Sequence, residues 1–273
     1  MDAESVWGTS RYSFWKHRRQ TCVFFGCYSL RDVMAIAAHR GKKYILWAGS
    51  DIRSWKDGLA FSDGKMKWLS KLTRGKFDGI VMKVLASADS FVENETEAAV
   101  LREMGVKVTG VCPSFMGRIS DYLVTFKPKK RAQIYVSAGQ GRGKEYGFET
   151  VCRIAARLPW YEFHLFGDDW NSDLRNVYCH GRVPAKVFAD ETSKMQIALS
   201  LNDFCGFSEV VARAILRGQY AISKVPHPQV PSFQDEIELV MTLNRLGKMT
   251  SVNYPARNYY LQALYKFPWY AKG

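Results

Sequence analysis

The sequence predicts an α/β protein built from two Rossmann-like domains. Three observations predict it. Strand-sized apolar runs alternate with stretches of helical spacing along most of the 273 residues, a basic Pro-containing stretch interrupts the rhythm midway, and the rhythm then restarts. Alternation of this kind implies parallel sheets covered on both faces by helices.

The elements follow in order. Residues 21–26 (TCVFFG) read as a buried strand. Residues 29–39 carry Leu30, Val33, Met34 and Ala37 at helical spacing, and Gly41 stops the helix. A second strand is predicted over 43–47, a helix over 65–72 and a third strand over 78–84 (DGIVMKV). A helix over 93–104 ends at Gly105 and leads into a fourth strand over 106–111. Residues 127–131 (KPKKR) have few apolar groups and read as an interdomain linker. Beyond it, strands over 132–137, 162–166, 177–180, 196–201 and 220–223 alternate with helices over 146–158, 184–193 and 209–217. The predicted domains are residues 1–126 and 127–255. A terminal segment, 256–273, contains the aromatic-rich run NYYLQALYKF.

Composition bounds the function. Apolar residues make up 47% and aromatics 14%, enough for a real core and unlike a disordered chain. No apolar run approaches the roughly 18 residues of a membrane helix. The start MDAESVWGTS lacks the pattern of a signal peptide, so a cytoplasmic location is expected. Six cysteines occur without a C-x-x-C pair and read as reduced, buried thiols; no clustered ligand set suggests a metal. The net charge of +13 implies a polyanionic partner: anionic lipid headgroups, nucleic acid or phosphorylated ligands. Residues 11–19 (RYSFWKHRR) interleave basic and aromatic side chains. That mixture suits a membrane surface or a nucleic-acid backbone, and equally an arm packed on its own domain.

Open parallel sheets bind ligands beyond the carboxyl ends of their strands, so the loops leaving strands are the candidate sites. In residues 137–147 (SAGQGRGKEYG), Gly139, Gly141 and Gly143 free the backbone while Arg142 and Lys144 supply charge. A glycine-rich loop feeding a helix favours phosphate. It is neither a Walker loop nor the dinucleotide fingerprint, which argues against a dehydrogenase. In residues 205–218 (CGFSEVVARAILRG) the chain turns through Gly206 and Phe207 into a helix with Ser208 as N-cap. Glu209, in its first turn, can accept hydrogen bonds from hydroxyls or simply complement the dipole. Asp51, in the loop AGSDIR, stands at a strand's carboxyl end, as a functional carboxylate or a turn aspartate. Gly26, in FGCYS, permits close approach of a ligand or a tight turn.

At these loops the sequence resembles glycosyltransferases of the GT-B fold, specifically the large retaining group classed as family four. The resemblance runs from about residue 21 to 223 and is carried by IYVSAGQGRGKEYGFETVCRIAARLP, FHLFGDDW, NVYCHGRVP and GFSEVVARAILRGQYAIS, and more weakly by WAGSDIR and ENETEAAVLREMGVKVTGVCPSF. It implies two Rossmann-like domains facing each other across a cleft. Residues 1–126 would lie on the acceptor side, 127–255 would bind the nucleotide sugar, and a C-terminal helix in 256–273 would cross back. Arg142 and Lys144 would neutralise the donor diphosphate, with Gly26 close to the ligand. Gly206, Phe207 and Ser208 would present backbone groups, and Arg182 and Val183 would lie near the nucleobase. Asp51 and Glu209 are the candidate catalytic carboxylates. The implied donor is a UDP- or GDP-sugar, used without a cofactor or an obligatory metal and with retained configuration. The acceptor would be a membrane-associated lipid or glycan, or hydroxylated bases in viral DNA; a viral member would work in the host-cell cytoplasm. The sequence departs from the family pattern at Cys205 and Arg213, where two glutamates eight positions apart are common, and at Ala48, where histidine is frequent. These departures keep a non-catalytic module that binds nucleotide or polyanion as the alternative.

Overall fold

The computed structural model describes residues 9–56, 64–73, 76–113, 117–203 and 206–267. The chain divides into two compact units, one of residues 1–116, 204–206 and 267–273, the other of residues 117–203 and 207–266.

The first unit begins with the single turn α1 (Phe14–His17) and continues with β1 (Cys22–Phe25), α2 (Leu30–Ala38), β2 (Lys43–Leu46) and α3 (Ser50–Lys56). Helices α4 (Gly64–Leu72) and α5 (Lys76–Ala86) precede β3 (Asp89–Val92), followed by α6 (Glu95–Glu103) and β4 (Val108–Val111). The strands form one parallel sheet in the order β1-β2-β3-β4. A capping box starts α2, in which Ser29 and Asp32 each accept the other's backbone N–H. Asn94 caps α6 by accepting the Glu97 N–H at 2.9 Å. Ile36, Ile45, Trp47, Leu85, Val92 and Leu101 fill the core.

Two expectations are corrected here. Residues 78–84 are not a strand but the middle of α5. Val81 and Leu85, four apart, face the core, while Ile80 between strand-like neighbours is exposed. The third strand is the less apolar DSFV at 89–92. The segment read as a loop around Asp51 is mostly helix α3, which buries Asp51, Ile52 and Trp55.

The second unit contains β5 (Gln133–Ser137), α7 (Phe148–Arg157), β6 (Glu162–Phe166), β7 (Val177–Gly181) and α8 (Ala185–Ser193). It continues with β8 (Ile197–Ser200), α9 (Glu209–Leu216), β9 (Tyr220–Ser223), α10 (Glu236–Leu246) and α11 (Tyr254–Tyr265). Its sheet is parallel throughout, in the order β7-β6-β5-β8-β9. The chain lays down β5, β6 and β7 in one direction, then returns to the other side of β5 for β8 and β9. That is doubly wound topology, and its switch point lies between β5 and β8. Ile134, Val136, Phe163 and Ile222 from the sheet pack with Phe148 and Ile154 of α7. The amphipathic α10, which the sequence reading did not mark, buries Leu239 and Leu243 in the same core. Helix α11 buries Ala256, Tyr260 and Leu264. Phe267, counted with the first unit, meets Phe91 edge-on at 5.3 Å. Residues 127–131 are exposed and lie outside helices and strands. Among the described residues no helix is long and apolar enough to cross a membrane.

Candidate functional site

The switch point selects the loops that leave β5 and β8, because the connections there diverge to opposite sides and leave a crevice at the strand ends. These are the two glycine-containing loops singled out from the sequence. They touch: a side chain at Gly147, whose φ is +77°, would press on Leu201 just beyond β8, with the nearest atom 2.8 Å from its Cβ.

The loop after β5 is closed on itself by Arg142 N–H to Gly139 O at 3.0 Å and Phe148 N–H to Gly143 O at 2.9 Å. It is also held from outside. Asp168, immediately past β6 and Gly167, accepts the N–H of Gly141 at 2.6 Å and of Gly143 at 2.7 Å, one on each carboxylate oxygen. These donors hold the Asp168 carboxyl below its usual range. Two backbone amides of the loop are thus occupied by a carboxylate of the same chain. Gly167 makes this possible. Its φ is +96°, and a side chain there would collide with the Ala138 carbonyl oxygen.

Two of the three predicted donor-binding cations, Arg142 and Lys144, are on this loop, and the third, Arg182, reaches it from the turn after β7. Arg142 pairs with Glu145, its Nε 2.8 Å from Oε2, and lies over the Tyr146 ring at 5.0 Å. Lys144 is 82% exposed, with Glu149 at 3.8 Å. Arg182, just past β7, donates to Gln140 Oε1 at 3.1 Å, which ties the β7–α8 turn to the glycine-rich loop; Val183, next along the chain, is half-buried.

The loop after β8 leads into α9. Ser208 holds the N-cap position, but its hydroxyl makes no capping bond, contrary to the side-chain cap expected there. Glu209 forms an ion pair with Arg213 at 2.8 Å, one turn along the helix. The Phe207 ring is buried, stacked on Tyr260 at 4.7 Å and edge-on to His227 at 5.2 Å. Only its backbone can serve a ligand. Gly206 is counted with the first unit, where a side chain would take the place of the Glu93 carboxylate. Cys205 lies outside the described residues.

In the first unit, Asp51 is fully buried. Its carboxylate accepts the N–H of Cys27 at 3.0 Å, Ala48 at 3.1 Å and Ile52 at 2.9 Å. Burial lifts it to about 6 even though those donors pull the other way. Gly26 has a φ of +75° and brings its Cα side against Asp51 and the Tyr28 ring. Sequence reasoning missed Glu97, which accepts the Glu93 N–H at 3.0 Å; burial, with the charge of Asp51 adding, lifts it to about 7. It also missed a histidine pair. His164 Nδ1 and His180 Nε2 are 2.9 Å apart, with Phe166 stacked on His180 at 4.2 Å and Tyr178 on His164 at 4.9 Å. Burial, then the charge of His180, holds His164 down at about 4. The signals for Asp168 and the histidines were their places on or just past β6 and β7. Among the described residues no group of three or more His, Cys, Asp or Glu is placed to hold a metal.

No family model and no curated protein matches this sequence. Solved structures do match the fold. The lipopolysaccharide outer core galactosyltransferase WaaB matches with TM-score 0.59 at 12% identity, over 92% of this chain and 73% of its own. The sucrose-phosphate synthase of Thermosynechococcus elongatus matches with TM-score 0.57 at 13% identity, over 94% and 72%. This chain spans about half (52%) of the pneumococcal O-GlcNAc transferase GtfA solved with UDP and GlcNAc, at TM-score 0.49 and 12% identity over 87% of this chain. What is shared is the architecture: two parallel α/β units of the GT-B glycosyltransferase kind.

Proposed function

We propose that the chain is a glycosyltransferase that takes a sugar from a nucleotide-sugar donor and passes it to a hydroxyl acceptor. The reading rests on Arg142 and Lys144 standing on the loop at the switch point of a doubly wound sheet, to which Arg182 is tied through Gln140. Ligands bind at such a point, and three cations there favour a diphosphate. The fold likeness to a galactosyltransferase and a sucrose-phosphate synthase supports the same reading.

In the reaction the bond from the sugar's anomeric carbon to the donor phosphate breaks, and a bond from that carbon to the acceptor oxygen forms. The acceptor's hydroxyl proton passes to the departing nucleoside diphosphate, which leaves. Arg142 and Lys144 offset the charge developing on that leaving group. The Glu145 carboxylate pre-orients Arg142, and Asp168 sets the path of the loop that carries it. Backbone groups of Gly206, Phe207 and Ser208 serve the sugar or phosphate, and Arg182 and Val183 flank the base. Glu209, half-buried and oriented by Arg213, is the carboxylate that can meet sugar hydroxyls. Asp51 acts at one remove, by positioning the Gly26–Cys27 turn. UDP- or GDP-sugars are the donors and retention the outcome. The acceptor is a membrane-associated lipid or glycan, or hydroxylated bases in viral DNA.

A second reading has an observation of its own. Glu209 is tied to Arg213 and the loop amides are tied to Asp168, as in a non-catalytic module that holds nucleotide or polyanion without reacting it. Consumption of UDP- and GDP-sugars, followed by release of the nucleoside diphosphate, separates the two. Turnover that drops about a hundredfold in Arg142→Ala and Lys144→Ala supports the enzyme. No release from any donor supports the module.

A further inference from the structure

The first unit carries a basic face centred on an exposed tryptophan. Trp15, on the one-turn helix α1, is 81% exposed. Arg18 spans back over the neighbouring rings, its guanidinium carbon 5.6 Å from the Phe14 centroid and 6.0 Å from that of Trp15. The Arg18 carbonyl accepts the N–H of Arg40 at 2.7 Å and of Gly41 at 3.0 Å, and Cys22 N–H donates to the Lys42 carbonyl at 2.9 Å. These bonds bring the basic run Lys16, Arg18, Arg19 beside the second basic run Arg40, Lys42. Tyr12 anchors the segment, its ring 5.5 Å from Phe24 and 5.8 Å from His39. Residues 11–43 hold eight basic side chains and one acidic one, Asp32, which is engaged in the α2 cap. Lys16, Arg19, Arg40 and Lys42 are exposed; the Lys42 ammonium stands 5.0 Å from the Tyr44 ring centroid and feels the charge of Asp89.

We infer that this face docks on an anionic lipid bilayer, with Trp15 seated among the headgroups and Lys16, Arg18, Arg19, Arg40 and Lys42 against lipid phosphates. A cluster of exposed basic side chains fits a surface of negative headgroups. Tryptophan with a large apolar ring and one N–H prefers the membrane interface. Single-stranded nucleic acid is held differently, by successive aromatic platforms along a groove, whereas among the described residues of 11–43 Trp15 is the one ring more than half exposed, with Phe25 at 43% and Tyr28 at 48%. The inference bears on the acceptor side of the function proposed above but does not need it. A chain that bound vesicles without releasing nucleotide would keep this inference and lose that one.

The test is co-sedimentation of the full chain with vesicles of phosphatidylcholine alone and of phosphatidylcholine with phosphatidylglycerol. Binding is expected only with phosphatidylglycerol, and added salt should release it. Each basic contact is worth about fivefold in partitioning, so Arg19→Glu with Arg40→Glu should weaken binding at least about 25-fold. Trp15→Ala should weaken it about tenfold with no change in charge. The equal charge reversal Arg157→Glu with Arg175→Glu, on the second unit, should change it by less than about threefold. Melting curves check the variants. If the Arg19/Arg40 pair melts early, Lys16→Glu with Lys42→Glu replaces it. Equal binding to both vesicle types, equal loss from both charge-reversal pairs, or patch-dependent binding of duplex DNA without vesicle binding would overturn the inference.

Discussion

Asp51 and Cys27, 24 residues apart, are joined in the interior of the first unit: the Asp51 Oδ2 accepts the Cys27 N–H at 3.0 Å. The Cys27 carbonyl is held as well, by the Trp55 indole N–H at 2.7 Å. Helix α3 therefore grips both polar groups of one residue in the turn after β1. It fixes that turn, with Gly26 in it, at the carboxyl end of the sheet, where a ligand is expected.

The first prediction concerns that grip. Asp51→Asn keeps one acceptor oxygen, whereas Asp51→Ala leaves three N–H groups without theirs. Buried donors left unpaired cost about 1–3 kcal/mol each and do not add fully. Asp51→Ala should unfold more easily than Asp51→Asn by about 2–3 kcal/mol in urea titrations. Equal stabilities would show that the grip contributes nothing.

Protonation of Asp51 gives the second. Its folded value of about 6 lies above that of the unfolded chain. The folded state therefore holds this proton more tightly, and the carboxyl's contribution is most favourable below about pH 4. It falls as pH rises through about 6 and is flat above about 7, a change on the order of 2–3 kcal/mol. Stability of the wild type minus that of Asp51→Asn should trace this decline. A difference that is flat or rises with pH contradicts it.

The Asp168 latch is testable by amide hydrogen exchange. The N–H groups of Gly141 and Gly143 should be protected in the wild type and exchange about tenfold faster in Asp168→Ala, with Asp168→Asn between. Because its donors hold Asp168 below the usual carboxyl range, protection should persist into mild acid. Unprotected amides in the wild type would remove Asp168 from the account.

His164 predicts the opposite pH trend in the second unit. Its folded value of about 4 lies below that of the unfolded chain, so its contribution is complete above about pH 6.5 and is lost as pH falls toward 4. The pair titrates together, so the loss, on the order of 3 kcal/mol, belongs to both rings. His164→Phe should flatten this part of the curve. An unchanged acid limb in that variant contradicts the assignment.

Much of the fold was legible because strands and helices in this chain have distinct periods. Phe148, Val151, Ile154 and Ala155 announce α7 by spacing alone. DGIVMKV failed because a short apolar run suits either period, and only packing shows that Val81 and Leu85 face inward together. The glycine-rich loop, Arg142, Lys144 and the turn into α9 were legible because each is contiguous. Asp168 was not: its partners Gly141 and Gly143 lie 27 and 25 residues away and meet it only once β5 and β6 pair. The same holds for Asp51 with Cys27 and for His164 with His180, where pairing across strands or loops, not local pattern, decides the chemistry.

Donor binding is the central claim, and melting of the full chain against UDP-, GDP-, ADP- and CMP-sugars tests it most directly. A donor at about a hundred times its dissociation constant stabilises the native state by about 2.7 kcal/mol. For a chain of this size that raises the melting temperature by about 5 °C or more. The account predicts such a rise for at least one donor, UDP- or GDP-sugars first, and its loss in Arg142→Ala with Lys144→Ala. A melting temperature unmoved by all four donor classes, or a rise that survives removal of both cations, would contradict it.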